Sequence, residues 1–138
     1  MYNPAGHCGA GGGADGWYYQ SSFGFHVPDF NLDNPALREE FSGSAAFWLG
    51  LGADGFRLDA AIHFYEENMA KNAEFIRWLS ESVKAMESGA FLIAEAWKDQ
   101  GTILKLYESG VDSFFNFPFS GADGQIIKAV REEEGLSL

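Results

Sequence analysis

The chain has 138 residues and a formal net charge of −11, from 20 acidic residues against 9 lysines and arginines. That balance excludes nucleic acid or an anionic membrane as partners, because a polyanion is repelled where a basic surface would draw it in by releasing counterions. Hydrophobic residues at 46% and aromatics at 16% exclude a disordered tail, no apolar run approaches the ~20 residues of a membrane span, and the single Cys8 excludes an internal disulfide framework.

Residues 1–34 are rich in glycine, proline and aromatics and keep no period. They read as a loop or insert region, ordered because Trp17, Tyr18, Tyr19, Phe23, Phe25 and Phe30 are costly to leave in water. A long loop of this kind is usually functional. Gly11, Gly13 and Gly16 fit a G-x-G-x-x-G spacing, but no strand precedes them and no helix follows, so they read as a flexible loop. His7 and His26 read as loop histidines. The start of the chain has neither the basic nor the apolar region of a signal peptide, so the native N-terminus is expected upstream, and localisation, secreted or cytoplasmic, stays open.

From residue 35 to 138 helices and strands alternate. Asn34-Pro35 is a cap followed by proline at the first helical position, with Leu37, Phe41, Ala45 and Trp48 on one helical face and Gly50 and Gly52 at its end. Asp54-Gly55 is a turn into a strand over 56–61. A long helix over 64–86 has the stripe Met69, Ala73, Ile76, Leu79, Val83 and Met86. The segment 91–97 reads as a strand apolar on both faces, as in a buried parallel sheet. A helix over 102–109, a strand over 111–117 and a helix over 123–134, with Ile126, Ile127 and Val130 inward, complete the order. Strict alternation means an α/β fold with right-handed crossovers and a parallel sheet. Three strands make either a small open sandwich or a slice of a larger barrel.

Two carboxylates stand out. Arg57 and Asp59 are two apart on one strand and so share a face. Arg57 is expected to pair with Asp59 and hold its pKa down, either as a structural ion pair or to keep a nucleophile ionised. Glu95 ends the apolar run Phe91-Leu-Ile-Ala beside Trp97, a setting expected to raise its pKa, as a general acid requires. Pairing with a nearby cation is the bland alternative. Together they form a pair whose environments push the two pKa values apart, and neighbouring strands ~4.8 Å apart can hold carboxyls at the ~5–5.5 Å that retaining glycosidases use.

At these residues the chain resembles the alpha-amylase family of glycoside hydrolases (glycoside hydrolase family 13). Gly55-Phe-Arg-Leu-Asp-Ala-Ala-Ile-His63 resembles the family's fourth-strand motif and Ile93-Ala-Glu-Ala-Trp97 its fifth. Val111-Asp-Ser-Phe-Phe-Asn-Phe-Pro118 resembles the sixth strand, and Val27-Pro-Asp-Phe-Asn-Leu-Asp-Asn-Pro35 the loop after the third. The resemblance implies a partial (β/α)8 TIM barrel: the fourth to sixth parallel strands with their helices over residues 35–138, preceded by the loop or insert at 1–34. It implies Asp59 as nucleophile, Glu95 as general acid/base and Arg57 as the partner of Asp59. His63 and Trp97 become substrate-binding residues. No cofactor is required, and a calcium ion is allowed, with Asp29 and His63 as its ligands. The third-strand motif and the seventh-strand His-Asp motif, which supplies the third catalytic carboxylate, are not in the chain, and Ile62 stands where many starch-cleaving members carry lysine.

The function implied is that of a retaining alpha-glucan hydrolase acting on oligosaccharides or polysaccharides. The alternatives are a transglycosylase of the same family, or a non-catalytic binding subunit with the same fold, against which the presence of both Asp59 and Glu95 counts. In a slice of a barrel, Leu58 or Phe56, Ile93 and Phe115 are expected to face the barrel interior and to find few partners there. The isolated chain is expected to be inactive.

Overall fold

Why strands and helices alternate is clearest at their caps. The computed structural model describes residues 11–12, 18–24, 26–66, 68–121 and 124–132. Helix α1, Pro35–Gly50, begins where the Asn34 side chain accepts the Ala36 N–H at 3.0 Å. Helix α2, Met69–Met86, begins where Asn68 accepts the Lys71 N–H at 3.1 Å. Helix α3, Gln100–Leu106, begins where Asp99 accepts both the amide (3.0 Å) and the hydroxyl (2.6 Å) of Thr102. A short helix, α4 (Phe117–Ser120), starts on Asn116, whose side chain accepts the Phe119 N–H, and α5 follows at Gln125–Glu132.

The strands are β1 (Gly11–Gly12), β2 (Tyr18–Tyr19), β3 (Gly55–Leu58), β4 (Phe91–Ala94) and β5 (Ser113–Phe114). The chain divides into two compact units, Met1–Phe41 and Ser42–Leu138. In the first, β1 and β2 pair antiparallel inside the segment that the sequence reads as loop. His7, Cys8, residues 13–17 and Phe25 lie outside the described residues.

In the second unit β3, β4 and β5 form one parallel sheet in that order, each crossing over through a helix as the alternation predicts. Phe56 pairs with Leu92 and Leu58 with Ala94, so these four share a face. Leu58, Leu92, Ala94 and Phe114 pack there with Ile76 and Val83 of α2 and Ile103 and Leu106 of α3. The opposite face carries Gly55, Arg57, Phe91, Ile93 and Ser113, and Phe91 is exposed on it. Leu58 and Phe56 therefore belong to the helix-covered core and not to the interior face expected for them. Strand β4 is likewise buried on one face only, because α2 and α3 cover one side.

Several boundaries move, each for a local reason. The strand expected over 56–61 stops at Leu58 because Ala60 takes a left-handed conformation (φ 43°) and leads into a 3₁₀ turn at Ala61–His63. The helix expected from 64 starts at Met69. Buried Asn72 ties the preceding loop down, accepting from Tyr65 N (2.7 Å) and donating to Ile62 O (2.7 Å) and Glu66 O (3.1 Å), while Glu66 has φ 52°. The strand expected to 117 ends at Phe114, because Asn116 caps α4. Trp48 and Met86 are exposed, as are Ile126 and Val130 (73%) of α5, which packs mainly against the four-residue α4.

Candidate active site

Alternation along the strands assembles the site. Counting in twos along the uncovered face gives Arg57 and Asp59 on β3 and just past its end, Ile93 and Glu95 on and past β4, and Ser113 and Phe115 on and past β5. Pairing continues past the strand ends: Glu95 N donates to Leu58 O and Ala61 N to Glu95 O, both at 2.9 Å. Asp59 and Glu95 thus leave the C-terminal ends of adjacent parallel strands side by side. That is the end of an α/β sheet where catalytic side chains collect. The left-handed Ala60, which costs about 1 kcal/mol for a residue with a Cβ, turns the chain away immediately after Asp59.

One nitrogen joins the two carboxylates. Arg57 Nη2 lies 2.7 Å from Asp59 Oδ1 and also donates to Glu95 Oε2. The second Glu95 oxygen, Oε1, accepts the Trp97 indole N–H at 2.8 Å. Glu95 is the most enclosed of the three, with its side chain 17% exposed against 74% for Asp59. Its pKa is lowered, first by the Trp97 hydrogen bond and then by Arg57 and the Ala60 amide, with burial opposing. This corrects the expectation of a raised value. Trp97 presents its N–H edge to the carboxylate and not its apolar face, and Arg57 serves Glu95 as well as Asp59.

Aromatic rings complete the wall. Trp97 stacks on Phe117 at 4.0 Å between centroids, Phe117 lies 6.0 Å from Phe115, and the Arg57 guanidinium sits 5.6 Å from the Phe115 ring centre. Phe117 and the Ala60 amide are additions that sequence reasoning missed. Phe117 opens α4 after the Asn116 cap, so the period of two along the strand does not reach it.

For the remaining candidates the described contacts are local ones. His63 ends the 3₁₀ turn with its side chain exposed, and its carbonyl accepts from Glu66 N at 3.4 Å. Asp29 belongs to the other compact unit, where its Oδ2 accepts the amide (2.9 Å) and hydroxyl (2.7 Å) of Ser22. Among the described residues no three acidic, histidine or cysteine side chains gather as a metal-binding group. These residues do not by themselves supply a calcium donor set, which needs six to eight oxygens.

Comparison with known proteins agrees with this geometry. Residues 11–134 match the family described as alpha amylase, catalytic domain. Alpha-amylase 3 of Dictyoglomus thermophilum is 36% identical over 121 residues, covering 88% of this chain and 23% of that protein. Trehalose synthase/amylase TreS of Mycobacterium tuberculosis is 35% identical over 133 residues, covering 88% and 22%. The solved structure of Eubacterium rectale Amy13B superposes with a TM-score of 0.88 at 36% identity, over 93% of this chain and 25% of that one. The chain spans about a quarter of the length of these relatives. Its sheet and helices are a partial (β/α)8 barrel, as the resemblance implied.

Proposed function

Because this chain belongs to the alpha-amylase family of glycoside hydrolases, we propose that it carries the nucleophile and the acid/base of a retaining alpha-glucan hydrolase. The observation that supports this reading most is the single Arg57 nitrogen shared by Asp59 and Glu95. Oxygens bridged by one nitrogen lie no further apart than two hydrogen bonds end to end, roughly 6 Å. That bounds the two nearest oxygens and is compatible with the ~5–5.5 Å between the carboxyl groups of retaining enzymes.

In this reading Asp59 attacks the anomeric carbon while Glu95 gives its proton to the glycosidic oxygen, whose bond to that carbon breaks. Water then attacks the glycosyl-enzyme, Glu95 takes the water's proton, and Asp59 leaves. Glu95 must be protonated before the first step, and enclosure by a bound sugar favours that, since desolvation raises a carboxyl pKa. His63 and Trp97 are the candidate sugar contacts. The substrate class is an alpha-glucan, by likeness to an alpha-amylase. Likeness to a trehalose synthase favours a second reading, in which a sugar hydroxyl replaces water. Product analysis separates the two. Asp29 and His63 remain the candidate calcium ligands, and no step here passes through the ion.

The test uses a chimera in which residues 11–134 replace the matching segment of the Dictyoglomus thermophilum alpha-amylase. Glu95→Gln is expected to lower turnover of maltooligosaccharides by two or more orders of magnitude, with much smaller loss on substrates whose leaving group needs no proton. Equal loss with every leaving group removes Glu95 from the acid role.

A further inference from the structure

The Trp97 indole does something that sugar stacking does not explain. Its ring lies on Phe117 with planes inclined by 28°, while its edge turns inward to give the N–H to Glu95. A sugar on the open ring face would use neither the Phe117 stack on the other face nor the N–H given to Glu95. The bracing ring reaches the site from α4, beyond a third strand.

We propose that Trp97 is a positioning residue that acts through Glu95: its indole N–H, braced by the Phe117 stack, pins Oε1 and so decides when that carboxylate can hold a proton. The role rests on reading Glu95 as the proton-transfer group. The charged groups that meet Glu95 are Arg57 and Asp59, both from β3 and its C-terminal end, joined by the Ala60 amide. The rings that β5 and α4 bring to Trp97 and Arg57, Phe115 and Phe117, carry no charge. Of all these contacts the indole is the one that can leave without breaking a strand pair or the Arg57 bridge, because the Trp97 side chain is largely exposed. A ligand that swings the ring off Phe117 removes a donor from the carboxylate and lets Glu95 take up a proton. The lowered pKa of Glu95, with the indole as its first cause, agrees with this arrangement.

The experiment follows the Glu95 carboxyl carbon by NMR as the 138-residue chain is titrated with acid, in the natural sequence, in Trp97→Phe and in Phe117→Ala. Trp97→Phe keeps a ring on Phe117 and removes only the N–H. Its Glu95 midpoint is expected to move to higher pH, and Phe117→Ala to move it the same way by less. In the natural sequence the Trp97 indole N–H resonance is expected to titrate with the Glu95 midpoint. An unmoved or lowered midpoint in Trp97→Phe, or an indole resonance indifferent to Glu95, overturns the proposal. The indole resonance needs no substitution, so it decides even where a variant loses its fold. No turnover enters either readout, so failure here and failure of the hydrolase reading are told apart.

Discussion

At the scale of single residues, the fate of a carboxyl group is set by which atom of its neighbour it meets. Asp112 makes this plain. It accepts the Leu92 N–H at 2.8 Å and pairs with Lys84 at 2.7 Å, and its pKa is lowered, first by that amide and then by Lys84, with burial opposing. Because the folded value is depressed, the stability it contributes is fully present above the unfolded carboxyl pKa and is lost as pH falls through the folded value. Asp112→Ala leaves the amide of buried Leu92 without this partner and should cost about 1–3 kcal/mol at neutral pH. Urea unfolding at a series of pH values checks it: the penalty should hold at neutral pH and shrink in acid below the ordinary carboxyl range. A penalty that persists unchanged in acid contradicts it. The same contrast explains what the sequence could tell about the site. Arg57, Asp59 and Glu95 were legible as neighbours because a strand's period of two puts them on one face. The direction of the Glu95 shift was not, because it depends on the orientation of Trp97, which is stacked on Phe117 twenty residues along the chain.

At the scale of elements, the strands and main helices follow from apolar spacing and caps, and the misplaced boundaries trace to polar side chains that bond backbone. Asn72 is the strongest case. Its place within the α2 stripe looks like a gap, yet the side chain is fully buried and makes three hydrogen bonds to the loop before the helix. Periodicity cannot show this, since it counts the residue as polar and says nothing of what it meets. Asn72→Leu retains much of the volume but leaves Tyr65 N and the Ile62 and Glu66 carbonyls without that partner, and should destabilise the chain by about 2–4 kcal/mol. Thermal or urea unfolding reads the loss, and an unchanged midpoint would show that the loop holds without it. Gly55 is required at the start of β3 for another reason: a Cβ there would collide with the Phe91 carbonyl, so even alanine forces β3 away from β4.

At the scale of the whole molecule, the sheet has one covered face and one that is not, and the catalytic candidates all lie on the uncovered one. Within these 138 residues the site has two carboxylates and an arginine and lacks the third carboxylate that the resemblance leads one to expect. Edge strands β3 and β5 each leave one side unpaired within this three-stranded sheet, which favours association through the edges. Electrostatic and positioning contributions to catalysis are each worth several kcal/mol, so the purified chain is expected to show no detectable hydrolysis of maltooligosaccharides. Sensitive reducing-sugar assays on the chain and on Asp59→Asn check this, and turnover that vanishes in the variant would show that a second copy or another partner completes the site. The barrel slice was legible because four motifs fall in order along one chain. The interior facing expected for Phe56 and Leu58 was a missed inference, because the period of two that sets Arg57 and Asp59 on the site face sets Phe56 and Leu58 on the other.

The central claim, that Asp59 is the nucleophile beside Glu95, is tested most directly by trapping the glycosyl-enzyme. The chimera carrying residues 11–134 is incubated with a fluorinated glycosyl fluoride that forms the intermediate faster than water removes it, then digested and read by mass spectrometry. The account predicts one sugar on the peptide that contains Asp59, fragmentation placing it on that carboxylate, and no label in Asp59→Asn. A sugar on Glu95, or undiminished turnover in Asp59→Asn, contradicts it.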